Sequence, residues 1–131
     1  MKRVGLLLVA ALMLAGCAGK PIYNPENRAI PLTAQQFPLE RIESVIIEAG
    51  QSRQWKFTRE APGHLSAVQT VPKHSAVVDI YFDQRTYRIV YRSSMGLDEK
   101  NGTIHSRYNI WVRNLERDID TWLTNASLIG Q

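Results

Sequence analysis

The chain has 131 residues, with 16 lysines and arginines against 12 aspartates and glutamates, and a single cysteine. That length suits one small domain. One thiol excludes an intrachain disulfide and any cysteine-based metal site, and a charge this close to balance gives no support for nucleic-acid binding.

Residues 1–16 read as a targeting segment rather than as part of a fold. Lys2 and Arg3 supply a positive start, and Val4 to Leu14 form an apolar run interrupted only by Gly5. A bilayer span needs about 20 apolar residues, so this run is too short to serve as a membrane helix. It ends in Leu14-Ala15-Gly16-Cys17, which resembles the lipobox read by lipoprotein signal peptidase. The small Ala15 and Gly16 let a protease reach the backbone, and the Cys17 thiol accepts a diacylglyceryl group. The resemblance implies cleavage between Gly16 and Cys17, lipidation of Cys17 and attachment to a membrane. Several acyl chains at about 0.8 kcal/mol per buried CH₂ make such anchoring effectively permanent. Ala18, rather than aspartate, follows the cysteine, which by analogy with the usual sorting rule favours the outer membrane. Loss of Lys2 and Arg3 leaves 14 basic residues against 12 acidic ones, so part of the basic character belongs to the leader.

From Cys17 to about residue 35 the chain contains Pro21, Pro25 and Pro31 among polar and small residues, with no apolar period. It reads as an extended tether from which a single domain, 36–131, would hang up to roughly 60 Å from the membrane. A helix is expected from Pro38 to Ala49, with Leu39, Ile42, Val45, Ile46 and Ala49 on one face and Gly50 ending it in a left-handed conformation.

Four strands should follow, over 53–59, 64–71, 75–82 and 86–92, with turns at Pro62-Gly63 and Pro72-Lys73. A short loop around Gln84-Arg85 pairs Phe82 with Tyr87, Ile80 with Ile89 and Val78 with Tyr91. Every inward pair is then apolar and Tyr81 falls opposite Arg88. A one-residue slip would invert all of these, which argues for a hairpin in that register. The last helix, capped by Ser106, carries the stripe Tyr108, Trp111, Val112, Leu115, Ile119, Trp122, Leu123 and Ala126. Arg113, Glu116, Arg117, Asp120 and Thr124 fall on its solvent side. The expected fold is α+β with two layers, helix–four-stranded antiparallel sheet–helix, both helices on one sheet face.

Chemistry-bearing residues are sparse. His64, His74 and His105 have neither a cysteine nor an acidic cluster to complete a metal site. His105 beside Ser106 lacks an orienting carboxylate, and adjacent residues rarely give nucleophile–base geometry. The plain structural reading gives Ile104 and Tyr108 to packing, and gives His105 or Asn109 the role of tying the preceding loop to the helix. Asp98-Glu99 and Asp118/Asp120 sit on solvated segments that would not separate their pKa values. No catalytic residue, metal or cofactor is expected.

The sheet face left open by the helices would present Lys56, Val77, Tyr81, Arg88, Val90 and Arg92, with Asp79 as the acidic exception. Arginine beside tyrosine is a common interface composition, and such a face suits an acidic or carboxylate-bearing partner. Lys56, Tyr81, Arg88 and Arg92 are therefore the candidate interaction residues. Alternatively, Trp55, Tyr87, Tyr91, Trp111 and Trp122 line a helix–sheet cleft for a small ligand such as a lipid, a peptide or a cell-wall fragment.

With its lipobox, Pro21-Ile22-Tyr23-Asn24, Trp55, Pro62-Gly63 and the run from Ile104-His105 to Trp111, the chain resembles small proteobacterial outer-membrane lipoproteins. That family brings no activity to carry over. The element order also looks like the helix-grip domains of a lipoprotein of the outer-membrane barrel-assembly machinery, an analogy of fold alone. The anchor, the long tether and the absence of catalytic chemistry together lead to the expectation of a periplasm-facing, lipid-anchored, non-enzymatic interaction module with an envelope protein as partner.

Overall fold

The computed structural model describes residues 19–129. The expected leader, the expected Gly16–Cys17 cleavage and the expected lipidation of Cys17 fall on residues outside the described ones. Among the described residues the elements are, in order, β1 (Lys20–Pro21), β2 (Arg28–Ala29), a 3-10 turn (Leu32–Ala34), α1 (Leu39–Gln51), β3 (Lys56–Ala61), β4 (His64–Val71), β5 (His74–Phe82), β6 (Thr86–Met95), β7 (Thr103–Ile104) and α2 (Ser106–Ile129). The architecture is two-layer α+β, as expected, but with more strands. Five antiparallel strands run in the order β2-β6-β5-β4-β3, and β1 and β7 form a separate two-stranded ribbon.

The hairpin β5–β6 has the anticipated register, with Phe82 opposite Tyr87, Ile80 opposite Ile89, Val78 opposite Tyr91 and Tyr81 opposite Arg88. Its loop is held by Asp83, whose Oδ1 accepts the backbone N–H groups of Arg85 (2.7 Å) and Thr86 (2.8 Å). Beyond Val78 the register shifts, so that Val77 meets Ser93 and Arg92 is the extra residue. Such a bulge re-aims a side chain, and β6 continues to Met95 rather than ending at Arg92. Pro62-Gly63 and Pro72-Lys73 each close a two-residue hairpin, with positive φ at Gly63 and Lys73 after the proline. Asn101-Gly102 has positive φ at both residues, the geometry of the tight turn that joins Lys100 to Thr103.

Helix α1 ends later than its glycine suggests. Gly50 lies inside the helix, where a Cβ would overlap the Phe57 ring. The left-handed residue is Gln54, φ 70°. Its N–H donates to the Gln51 carbonyl (3.0 Å) and that of Trp55 to the Gly50 carbonyl (3.1 Å), the Schellman pattern. Trp55 then enters the core just before β3 begins. At the start of α2 the cap is His105, not Ser106. Its Nδ1 accepts the Arg107 backbone N–H at 3.0 Å, and Ser106 is the first helical residue.

The core lies between the sheet and both helices, where Ile42, Ile46, Leu65, Ile80, Tyr87, Ile89, Tyr108 and Leu115 are buried. Trp122, placed on the apolar stripe by its spacing, is instead 38% exposed at the rim. The charged β3 edge carries Lys56, Arg59 and Glu60 and a bulge, devices that discourage pairing with another strand.

The principal departure is at the start of the domain. Residues 19–34, read from the sequence as most of a tether, pack against it. Lys20 and Pro21 pair with Ile104 and Thr103, and the Ile22 N–H donates to the Gly102 carbonyl at 2.9 Å. Further on, Asn24 Oδ1 accepts the Tyr91 N–H (2.8 Å) and the Pro25 carbonyl accepts that of Ile89 (3.0 Å). Arg28 and Ala29 pair with Tyr87 and Thr86. The segment therefore covers the open edge of β6, whose donors and acceptors would otherwise face water or another chain. Ile30 and Ala34 enter the core at 1% and 0% exposure.

Candidate functional site

Two regions concentrate polar side chains. The first is the sheet face away from the helices. Antiparallel pairing through the Pro72-Lys73 turn puts His64 opposite Tyr81 and Ser66 opposite Asp79, and β6 adds Arg88 and Val90 alongside. The His64 ring stacks on Tyr81 with centroids 4.3 Å apart. The Arg88 guanidinium lies over the same Tyr81 ring at 4.3 Å. Next to this stack, Asp79 is held by His64 Nε2 (2.7 Å) and by both Nε (3.0 Å) and Nη2 of Arg92. Arg92 also approaches Glu60 at 3.6 Å, and Glu60 accepts a hydrogen bond from the Ser66 hydroxyl at 2.8 Å. The bulge at Val77/Val78 is what turns Arg92 onto this cluster.

Burial alone would raise the Asp79 carboxyl, but hydrogen bonds from Arg92 and His64 outweigh it and hold the group below the ordinary carboxylate range. The carboxylate is thus saturated with donors, and its charge is spent inside the cluster. Arg88 forms no ion pair among the described residues and its guanidinium faces outward over the Tyr81 ring.

Of the four candidate interaction residues, Tyr81, Arg88 and Arg92 are brought together, and Lys56 is not. Lys56 stands on β3, three strand spacings from β6, or roughly 14 Å. Two further members of the cluster, His64 and Glu60, stand outside the four candidate interaction residues, although His64 follows from a register signal. A two-residue turn at Pro72-Lys73 fixes residue 64 opposite residue 81.

The second region is formed by the docked N-terminal segment on α2. Asn109 clamps it with both ends of its amide. Oδ1 accepts the Tyr23 N–H (2.9 Å) and Nδ2 donates to the Pro21 carbonyl (2.9 Å). The Tyr23 hydroxyl donates to Glu116 Oε1 at 2.8 Å, and Arg28 bridges Glu116 (2.7 Å) and Asp120 (3.1 Å). Asp120 also accepts the Tyr87 hydroxyl at 2.7 Å. Burial, then the Asp120 contact, pushes the Tyr87 phenol well above its ordinary value, so it stays a neutral donor. Glu116 and Asp120 therefore do not sit on a solvated face as their helical position suggests. Glu116 is only 9% exposed, because residues 23–28 lie over it.

The helix–sheet interior is filled rather than open, with Trp55 and Tyr87 packed at 2% and 1% exposure. A surface groove of about 580 Å³ does lie between α1 and the end of α2, walled by Val45, Trp122, Ala126 and Ile129. Among the described residues no three His, Asp or Glu side chains gather closely enough to hold a metal ion. None of the described helices is long and apolar enough to cross a membrane. Compared with protein-family models, curated proteins and solved structures, the chain finds no match.

Proposed function

We propose that this chain is a lipoprotein anchored through Cys17 in the outer membrane, facing the periplasm, and that its folded part is a non-enzymatic protein-interaction module. The anchoring half rests on the leader and on Leu14-Ala15-Gly16-Cys17. The observation that carries the interaction half is the uncovered sheet face, where a prearranged His64–Tyr81–Arg88 stack adjoins an internally neutralised Asp79–Arg92 pair. An ordered aromatic and an outward guanidinium lose little conformational freedom on binding. They suit an envelope protein that presents a carboxylate or acidic loop. The non-enzymatic reading is supported by His105, whose Nδ1 is committed to the start of α2 rather than aimed at a nucleophile.

Site-specific photo-crosslinking in living cells tests this reading, with the probe at Arg88 or Val90 and a control probe at Lys100. A discrete adduct at the first two positions only is the expected result. Acylated, folded protein that gives no adduct at either position contradicts it.

A small-ligand reading rests instead on the Val45–Trp122–Ile129 groove, whose walls are largely apolar. It requires protein purified from cells to show a mass above that of the acylated chain by native mass spectrometry. The acylated mass alone would remove it.

A further inference from the structure

The docking of residues 19–34 fixes how far the domain stands from its anchor. Gly19 lies against the backbone of Ile104, where a Cβ would sit 3.1 Å from the Ile104 carbonyl oxygen. From there onward the chain is held by β1, by the Asn109 clamp and by β2. Gly19 comes two positions after Cys17, with only Ala18 between them, a span of at most about 7 Å. The headgroup layer of a bilayer is itself several ångströms deep, since a core of about 30 Å grows to about 40–45 Å with both layers included. An acylated Cys17 therefore keeps the β1 end of the domain at the headgroup layer, where the surface it presents decides whether it seats among the headgroups.

That end has a suitable surface. Continuing β1 backward from Lys20, paired with Ile104, leads along β7 toward the first turn of α2. A groove of about 500 Å³ between the two is lined by Lys20, Tyr23, Ile110 and Arg113. Arg113 is placed over the Tyr23 ring at 3.9 Å. Lys20, Arg107 and Arg113 are exposed, and none of them forms an ion pair among the described residues. Between them stands Ile110, an isoleucine 57% exposed on a helix face that also carries Arg107, Arg113 and the neutral Ser106 and Asn114. The acidic neighbours are occupied or turned away. Glu116 is taken by Arg28 and Tyr23. Asp98 and Glu99 lie across β7 from β1, because Thr103 exchanges both of its backbone hydrogen bonds with Lys100. Cations flanking one apolar side chain is the composition of a surface that settles into the boundary of an anionic membrane.

We infer that Lys20, Arg107, Ile110 and Arg113 form a membrane-seating surface that contacts anionic phospholipid headgroups of the same bilayer that holds the Cys17 lipid. This rests on the anchoring reading above, and the experiment separates the two. The full lipidated chain is purified and reconstituted into vesicles of phosphatidylethanolamine and phosphatidylglycerol. An environment-sensitive fluorophore is attached through I110C or, as control, through Q84C. Gln84 lies in the β5–β6 loop, at the opposite end of β5 from His74, which contacts the Gly96 carbonyl beside the β7 end.

The expected result is blue-shifted emission and quenching by a lipid-phase quencher at residue 110, with water-like emission at 84. Vesicle-bound protein with the same water-like emission at both positions overturns the inference while leaving the anchor intact. A chain that carries no acyl mass and does not float with vesicles removes the anchoring reading, and the inference with it. K20E, R107E and R113E combined should leave the lipidated chain attached and folded by circular dichroism, yet return the 110 signal to that of 84. An unchanged 110 signal in that variant, or a shielded one in purely zwitterionic vesicles, overturns the headgroup contact.

Discussion

The β5–β6 hairpin and the segment 19–34 both supply strands to one sheet, yet they do so by different physics. In the hairpin, alternating apolar residues and a short loop specify the pairing locally, so each inward side chain meets another across the ladder. In the N-terminal segment the pairing is intermittent and is completed by side chains. Pro25 has no N–H to offer, Asn24 bonds β6 through its amide, and Asn109, Glu116 and Asp120 reach out from α2 to hold the rest. The segment is strand-like without the composition of a strand. Its partners are about 60–90 residues away in sequence, so nothing in its own neighbourhood announces them.

The sharpest way to break that comparison is to truncate one core isoleucine in each region. Ile30 and Ile89 are buried to the same degree, and alanine at either should cost about 2–5 kcal/mol in urea denaturation. If Ile30→Ala cost far less than Ile89→Ala, the segment would be an accessory rather than part of the core. Next in size is Asn109→Ala, which strips partners from the Tyr23 N–H and the Pro21 carbonyl. A loss of about 1–3 kcal/mol is expected, with new protease sensitivity confined to the β1 end.

Acid titration probes the sheet side of the comparison. The folded Asp79 carboxyl is held below its unfolded value of about 3.9. Its contribution is therefore fully present above that value and is lost as pH falls through the lower, folded one. The groups that meet it are His64 and Arg92, with Glu60 behind Arg92. Asp79→Asn should destabilise at neutral pH, by about 1–3 kcal/mol, and flatten the stability change below pH 4. The smallest effect is a gain. Gln54 occupies a left-handed conformation that costs a side-chain residue roughly 1–2 kcal/mol, part of which glycine gives back as unfolded-state entropy. Gln54→Gly should raise the melting temperature by a few degrees, while Gly50→Ala lowers it by forcing the Phe57 ring aside.

What was legible follows the same division. Elements stabilised by neighbours in sequence could be read directly, including both helices, the two turns that carry proline, and the Tyr81–Arg88 contact. Where a distant side chain decides, periodicity misleads. Glu116 and Asp120 fall on the polar arc of α2, but residues 23–28 cover them. Gly50 is placed to stop a helix, but Phe57 needs its missing Cβ. Three prolines in the first part of the chain suggest a loose extended tether. The chain there is indeed extended, and its hydrogen bonds go to β6, β7 and α2 instead of water.

Whether residues 19–34 belong to the folded unit decides the stability of the β6 edge and, under the proposed anchoring, the distance between domain and membrane. Native-state hydrogen exchange on the full chain measures this directly. The amides of Ile22, Tyr23 and Ile30 should exchange as slowly as those of the β5–β6 ladder, because each donates to a fixed acceptor at 2.9 Å. Exchange at the rate of an unstructured peptide at those three positions, beside a protected β5–β6 ladder, would restore the tether and remove the basis for the proposed seating on a membrane.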